Sequence, residues 1–432
     1  KMKMLRPGTI ITATPGVKYN MLSPNIDARD AAQDGRNIQL AMASAEGLPD
    51  VFVTGDYCHS MDTQILSERG WLSFQSLRPD DALATMNQQS GTLEFQRPLR
   101  LHHFYHQGEM YQFHGRRFAF CITPQHELLL SEYHQGHKNR ESLRIHDRPL
   151  EEYHKIAIQD LDRTLYAVPA SVVWQGKDAP LFVLPDGNTI EMDLWLELLG
   201  YVITDGCVTA STHGAVQITQ KTPEKIPVIE ACIQQLPWKY TKTISNGATV
   251  FRIWNKQLQE FVAHIIGTPE GGAYSRYKHL PAFIWELSPR YLRYLLDALI
   301  LGDGGYDNRL GRTGLTFRTS STQLADEVQR LGIMLGYATS LLTTMNEDAP
   351  SSWGSGIGYT VSMSDGHAQL LDTKRIQRIA WDAEVWCATV PNGILITRYQ
   401  GKPFISGNSG ANFASTVVSQ NPAVRAFEEH QN

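Results

Sequence analysis

The chain has 432 residues, more than one hydrophobic core usually supports, and this length predicts two to four domains. Hydrophobic residues make up 42% of it and charged residues 19%, which is typical of soluble globular proteins and excludes a largely disordered chain. No apolar run approaches the ~20 residues that cross a bilayer, and no apolar segment follows the basic N-terminus as in a secretory signal. We therefore expect a cytoplasmic protein without a membrane partner.

The net charge of -5 excludes a chain that is basic throughout, although a local basic face would be hidden in that sum. The five cysteines are widely spaced, odd in number and without a CxxC pair. This spacing disfavours a disulfide framework and a zinc knuckle.

Taken in chain order, the predicted elements change character twice. Short β-type runs broken by Gly, Asn, Asp and Pro predict an all-β domain, and apolar faces near a 3.6-residue period then predict an α/β block. β-type runs return before the end, so the all-β domain is predicted to be split by the α/β insertion. Two short flanks lack a core of their own. The predicted segments are 1–57 (flank), 58–190 (β domain plus connector), 191–372 (insertion), 373–408 (β domain) and 409–432 (flank).

Three stretches of the split β domain carry groups for acyl transfer. They are Cys58 to Leu66, Thr123-Pro124-Gln125-His126, and Val385 to Gly393 leading to Gly407-Asn408-Ser409. A lone cysteine is more often a small buried hydrophobe, and a TxxH or Asn-Ser pair occurs by chance. Together, in this order, they resemble the splicing blocks of an intein, and the resemblance covers all of Cys58 to Asn408.

The resemblance implies a horseshoe-like all-β Hint fold that excises itself by protein splicing in cis, without a cofactor. The thiol of Cys58 is positioned by its own chain to attack the preceding carbonyl through a five-membered transition state. His126 would protonate the departing amide nitrogen while Thr123 orients the site. Ser409 would then take over the acyl group, Asn408 would cyclise to release the intein, and an acyl shift would leave a peptide bond between the flanks, the extein partners in cis.

Two positions depart from the commonest intein pattern. Gly407 stands where a histidine usually precedes the terminal asparagine, and the usual histidine near Ile394 to Arg398 is also missing. Asparagine cyclisation must therefore be assisted by another group. Cys387 stands where many inteins have Asp and others Cys; we assign it to positioning or activating the branched-ester step, with a plain core cysteine as the alternative.

The insertion contains an internal repeat. Leu198 to Gly206 and Leu296 to Gly304 each form an apolar run ending in Asp-Gly, and Gly200 pairs with Ala298. Either run alone is more often a core helix with a turn after it. The pair resembles the LAGLIDADG motifs of homing endonucleases, and Tyr277 to Pro281 resembles their lysine block. The fold implied is an α/β endonuclease that is pseudo-dimeric within one chain.

This second resemblance implies site-specific cleavage of double-stranded DNA, the target being the host gene without the intein. Asp205 and Asp303 would bind Mg²⁺ or Mn²⁺ at the pseudo-twofold axis, one acid for each strand. Lys278 would stabilise charge on the phosphate or polarise water. Residues 239–330 carry twelve Lys and Arg against eight Asp and Glu, which weakly favours a DNA-facing half.

The joined flanks, Leu48 to Tyr57 followed by Ser409 to Ser415, resemble a lambda-type phage portal protein. This implies a phage or prophage gene. Three alternatives are a free-standing homing endonuclease, a hedgehog-type autoprocessing domain and a purely structural portal module. None of them explains all the motifs in order.

Four histidines are interpreted as structural rather than metal-binding, namely His102, His103, His106 and His114. Region 132–187 is interpreted as a DNA-contacting arm or as a solvated connector.

Overall fold

The computed structural model describes residues 58–133, 149–209, 214–267, 275–307, 314–345 and 356–407, which all belong to one compact unit. The first described segment is built from short strands. They are β1 (His59–Ser60), β2 (Gln64–Ser67), β3 (Gly70–Ser73), β4 (Leu83–Met86), β5 (Leu93–Gln96), β6 (Arg100–His114), β7 (Ala119–Ile122), β8 (Glu127–Glu132), β9 (His154–Ala157) and β10 (Leu165–Pro169).

A hairpin leads from these strands into a helix-containing segment. The hairpin is β11 (Leu181–Val183) and β12 (Thr189–Glu191). The segment then contains α1 (Met192–Asp205), β13 (Gly206–Thr209), β14 (Ala215–Gln220), α2 (Ile226–Gln234), β15 (Tyr240–Ser245), β16 (Ala248–Trp254), α3 (Lys256–Ile265), α4 (Pro289–Asp303), β17 (Gly304–Asp307), β18 (Gly314–Thr319), α5 (Thr322–Met334), β19 (Ala338–Met345) and β20 (Ile357–Ser364). None of the helices in the described ranges is long and apolar enough to span a membrane.

Four further strands follow, namely β21 (Ala368–Asp372), β22 (Gln377–Thr389), β23 (Ile394–Tyr399) and β24 (Lys402–Gly407). They pair with strands from the first segment: β22 with β1 and β6, β23 with β2, and β24 with β8. β21 pairs with β10, although the boundary at 372 predicted from the sequence assigns it to the insertion. The two chain segments thus share their sheets, one of them a closed barrel of β1, β22, β6 and β7.

The insertion repeats one arrangement of elements. α1, β13, β14, α2, β15 and β16 are matched in order by α4, β17, β18, α5, β19 and β20. The two antiparallel sheets have equivalent strand orders, β13-β14-β16-β15 and β17-β18-β20-β19. Helices α1 and α4 pack against each other, so the repeat predicted from the sequence is present in the fold. The chain is therefore a multi-sheet α/β protein.

The start of each paired helix follows from local sequence. Pro289 opens α4, where its fixed φ suits the first helical turn and its missing N–H costs nothing. The Ser288 hydroxyl does not cap this helix; it donates to Asp178 at 2.6 Å instead. α1 is apolar on most of its surface, with Trp195, Leu199 and Val202 fully buried, because it lies between α4 and the first sheet.

Candidate active sites

The first candidate site surrounds Cys58, which is completely buried. The backbone N–H of Cys58 donates to the Thr123 hydroxyl oxygen at 3.0 Å, and the N–H of Thr123 donates to the Cys58 carbonyl at 3.0 Å. Thr123 directly follows β7 and is the first residue of the turn that leads to β8. The amide nitrogen of the peptide bond before Cys58 is therefore held by the Thr123 side chain.

His126 closes that turn, its N–H donating to the Thr123 carbonyl at 3.1 Å. Its imidazole is fully buried, and Nε2 lies 2.6 Å from the hydroxyl oxygen of Ser406 on β24. The Ser406 hydroxyl also donates to the Gly407 carbonyl at 3.1 Å. The Ser406 hydroxyl thus contacts both the imidazole and the Gly407 carbonyl, and it has one proton to donate.

β24 pairs with β8 and β23 and thereby brings Gly407 close to His126. In this register Ser406 lies opposite Leu128, and Gly407 lies opposite Ile394. A Cβ atom at Gly407 would fall 2.7 Å from the Glu127 carbonyl oxygen. A histidine therefore has no room at this position, which accounts for the glycine. The predicted residues Asn408 and Ser409 lie outside the described residues.

Cys387 lies on β22 and is buried. β22 pairs antiparallel with β1, and Trp386 lies opposite His59. In this register Cys387, which follows Trp386, is next to Cys58, which precedes His59. Antiparallel pairing places such residues close together. The structure thus gathers Cys58, Thr123, His126 and Cys387 around one end of the barrel, while the role of Cys387 stays a prediction.

The second candidate site lies where α1 and α4 end. Asp205 and Asp303 are the last residues of these helices, and each is followed by a glycine that starts a strand. A Cβ atom at Gly206 would contact the backbone of Val202 at 2.5 Å. Glycine is therefore needed where the chain turns sharply after the carboxylate.

The two carboxyl groups influence each other. Burial and the nearby charge of Asp303 raise the pKa of Asp205 to about 6. Partial loss of water around the carboxyl group also raises the pKa of Asp303. The residue as a whole is nevertheless exposed to solvent, so this effect is weaker than full burial would give. Both acids are thus costly to ionise without a cation, as expected of carboxylates prepared for metal or substrate. Gln220 fixes one of them, donating from Nε2 to Asp205 Oδ2 at 2.8 Å.

Two lysines stabilise the ends of the same helices. Lys278 is buried, and its ammonium group donates to the carbonyls of Ile203 at 2.7 Å and Gly206 at 2.8 Å. Lys225 donates to the Gly302 carbonyl at 2.7 Å. Positive charge at a helix C-terminus is favourable. Lys278 also lines the cleft beside Asp303, but its direct partners are backbone carbonyls, so its role toward phosphate stays a prediction.

The donor set fits a hard divalent cation. Mg²⁺ is commonly bound through one or two carboxylates, with water and substrate phosphate completing its coordination. Asp205 and Asp303 supply such a pair. Among the described residues no group of three or more His, Cys, Asp or Glu side chains could hold a metal, so a cation bound by this pair would take its other ligands from phosphate and water.

The histidines of β6 have separate contacts. His103 Nε2 lies 3.2 Å from Glu384, His106 Nε2 lies 3.1 Å from the Glu109 carbonyl, and His102 Nε2 lies 3.4 Å from the Thr389 hydroxyl. These contacts agree with the structural interpretation of the histidines. Most of the basic part of the proposed arm, residues 134–148, lies outside the described residues.

Four residues that sequence reasoning missed contact these sites: Ser406, His59, Gln220 and Lys225. Ser406 carries a weak signal, a polar residue between Ile405 and Gly407 in a run that is otherwise apolar. The other three carry none, because nothing in the local sequence indicates that strand pairing or the helix repeat brings them to a reactive group.

No protein-family model matches the chain. It is 23% identical over 310 residues to an ATP-dependent Clp protease proteolytic subunit of Chlamydomonas moewusii, with 68% of this chain and 29% of that protein covered. It is 20% identical to a DNA-directed RNA polymerase subunit beta C-terminal section of Stigeoclonium helveticum and to a ribonucleoside-diphosphate reductase subunit beta of Aquifex aeolicus, covering 85% of this chain and 38% and 53% of those proteins. The chain thus spans between about a third and a half of these relatives.

The structural neighbours are LAGLIDADG proteins. Crystal structures of the homing endonuclease I-DmoI, one with its target DNA and manganese, cover 40% of this chain and 87% of the neighbour at 18% identity, with a TM-score of 0.29. The N-terminal LAGLIDADG domain of DUF199/WhiA covers 40% of this chain and 75% of its own at 7% identity, with a TM-score of 0.28.

Proposed function

We propose that this chain is an intein that splices itself out of a host protein and carries a LAGLIDADG homing endonuclease as its insertion. The observation that carries the proposal is the meeting of both ends of the 58–407 region at His126. Cys58 reaches it through the Thr123 turn, and Gly407 reaches it through the Ser406 hydroxyl. Acyl transfer between two junctions requires this proximity.

The first step would take place at Cys58. Its thiol attacks the carbonyl of Tyr57, forming a C–S bond while the C–N bond breaks, and the amide nitrogen must gain a proton. Thr123 holds the N–H of that amide, so the nitrogen keeps one orientation while its geometry changes. His126 lies on the same turn and is the acid that we assign to this step.

The later steps would take place beyond Gly407. The Ser409 hydroxyl attacks the thioester and releases the Cys58 thiol, giving a branched ester. The Asn408 side-chain amide then attacks its own carbonyl, the peptide bond to Ser409 breaks, and a succinimide forms. The flanks, residues 1–57 and 409–432, lie outside the described residues, and their portal-like identity stays a prediction.

The insertion would cleave double-stranded DNA. Asp205 and Asp303 would hold Mg²⁺ or Mn²⁺, which when bound supplies neutralisation of phosphate charge and activation of water. Gln220 orients one carboxylate, and the two equivalent sheets offer the paired surface that a duplex with two scissile strands requires. Lys225 and Lys278 bind backbone carbonyls at the ends of α4 and α1 and so hold the helix ends that carry the two carboxylates.

Splicing is tested by intact mass spectrometry of the full chain beside Cys58→Ala and Asn408→Ala variants. We expect one product corresponding to residues 58–408 and another in which 1–57 is joined to 409–432. Neither variant should give the joined flanks. If the unsubstituted chain stays intact under all conditions, splicing is rejected and the endonuclease remains as the function to test.

A further inference from the structure

His59 is a buried imidazole at the centre of the proposed splicing site. It follows Cys58 directly, it is 1% exposed, and neither ring nitrogen has a hydrogen-bond partner among the described residues. Its ring centroid lies 4.5 Å from that of His126 in an edge-on arrangement, and 5.4 Å from Trp386. Two polar atoms are thus held without hydrogen-bond partners next to the His126 ring.

The surrounding strands fix this position. His59 belongs to β1, which pairs with β22 through Trp386 and with β7 through Ile122. Burying polar nitrogens without partners costs free energy that an apolar side chain of similar size would avoid. A group kept in this way inside a reactive centre is a candidate for chemistry rather than for packing.

The last described residue before the C-terminal junction supplies no group of this kind. Gly407 has none, and the Glu127 carbonyl excludes one. His126 Nε2 is engaged with Ser406, whose proton goes to the Gly407 carbonyl. Cleavage after Asn408 nevertheless moves a proton, because the attacking amide loses one and the departing amine gains one.

Resting on the splicing function proposed above, we propose that His59 is a second proton-transfer residue and acts at the bond after Asn408. The imidazole accepts the proton that the Asn408 amide nitrogen loses as it bonds to the Asn408 carbonyl carbon. It returns that proton to the Ser409 nitrogen as the peptide bond breaks. His59 ends the step in its starting form, and no further reactant is needed.

The ionisation of His59 suits this order of events. Burial, with a further contribution from the charge of His126, holds the pKa of His59 well below 6.5. The ring is therefore neutral at neutral pH, and it can accept the proton from Asn408 before it donates one to Ser409. A histidine that began the step protonated would have to lose its proton before it could act in this way.

The test separates the two junctions in the full chain. N-terminal reactivity is measured by adding excess dithiothreitol, which cleaves the thioester at Cys58, and C-terminal reactivity by the release of residues 409–432. In His59→Gln we expect release to slow by about 100-fold or more, the usual scale of general acid–base catalysis. Thiol-induced cleavage at Cys58 should slow far less than release does, and its persistence also shows that the variant is folded.

A second pair isolates the C-terminal step, since Cys58→Ala cannot form the thioester. Release from Cys58→Ala should be much faster than from Cys58→Ala combined with His59→Gln. His103→Gln, a half-exposed histidine on β6, is the matched control and should release at the unsubstituted rate. Equal release with and without His59, or loss of thiol-induced cleavage in His59→Gln, would overturn the proposal. An unsubstituted chain that never splices would instead reject the proposed function.

Discussion

At the scale of single residues, both candidate sites hold reactive groups in states that cost folding free energy. Asp205 is an acid whose pKa is raised to about 6 by burial and by Asp303. At neutral pH it is ionised in a place that favours its neutral form. In the unfolded chain this carboxyl group would have an ordinary pKa of about 4. The ionised group therefore lowers the free energy of unfolding progressively as the pH rises from about 4 to about 6, and the loss is complete above that range.

Asp205→Asn should therefore abolish DNA cleavage and stabilise the protein at pH 7.5. A shift of this size corresponds to about 1 to 2 kcal/mol after allowing for solvent screening of a partly buried group. Thermal unfolding at pH 7.5 and pH 4.5 checks this, because the gain should be much smaller at the lower pH. Asp160→Asn, at an exposed position, should change neither property; a stabilisation of Asp205→Asn that is equal at both pH values would contradict the explanation.

Cation binding at the proposed endonuclease site should depend on pH for the same reason. A protonated carboxyl is a poor ligand for Mg²⁺, so the affinity for the ion and the cleavage rate should fall as the pH drops below about 6. Isothermal titration with Mn²⁺ between pH 5 and 8 measures the effect directly. An affinity that does not change over this range would rule out Asp205 as a ligand.

At the scale of elements, the insertion depends on the contact of α1 with α4. A Cβ at Gly200 would overlap the Ala298 methyl group, and one at Gly302 would overlap the Thr204 side chain. The helices touch along their backbones at these two points. This close approach brings the ends of the two helices together, so that the charge of Asp303 acts on Asp205.

Gly200→Ala should lower the free energy of unfolding by about 1 to 3 kcal/mol, because overpacking outweighs the better helix propensity of alanine. Adding Ala298→Gly should recover most of the loss, since the pair then keeps its total volume. Denaturant unfolding of both single variants and the double variant gives the coupling between them. Additive effects in this cycle would contradict direct contact between the two positions.

At the scale of the whole molecule, helix α5 links the insertion to the β strands around it. Arg398 on β23 is 3% exposed and donates from Nη1 to Asp326 at 2.6 Å and to Gln329 at 2.8 Å, both on α5. Gln329 donates in turn to the Gly401 carbonyl at 2.9 Å. On the other side, Ser321 at the start of α5 donates to the Lys278 carbonyl at 2.7 Å. One apolar cluster also runs through both parts.

Arg398→Met should therefore destabilise the β strands and the insertion together, by about 3 kcal/mol, because it leaves Asp326 without its buried partner. We expect a single unfolding transition at lower temperature in calorimetry. Lys177→Ala removes the exposed ion pair with Glu286 and is the control, with an expected cost under about 1 kcal/mol. Two separate transitions in the unsubstituted protein would show that the parts unfold independently.

The sequence by itself predicted the candidate reactive residues and revealed the repeat. Cys58, Thr123, His126, Asp205 and Asp303 were singled out because the short motifs around them resemble those of two known families, and their roles stay predictions. The helices predicted at 194–203, 288–301 and 321–335 overlap α1, α4 and α5 because their apolar spacing is a local property.

Only the tertiary structure decided which groups meet. Ser406 and Lys225 reach the sites through strand pairing or helix packing between segments far apart in the chain. His59 is next to Cys58 in the sequence, but only the fold places its ring against His126. The glycine at 407 is likewise explained only by the Glu127 carbonyl that faces it across a strand pair. Local spacing fixes residue type and element, whereas proximity across long sequence separations is set by the packing of the whole fold.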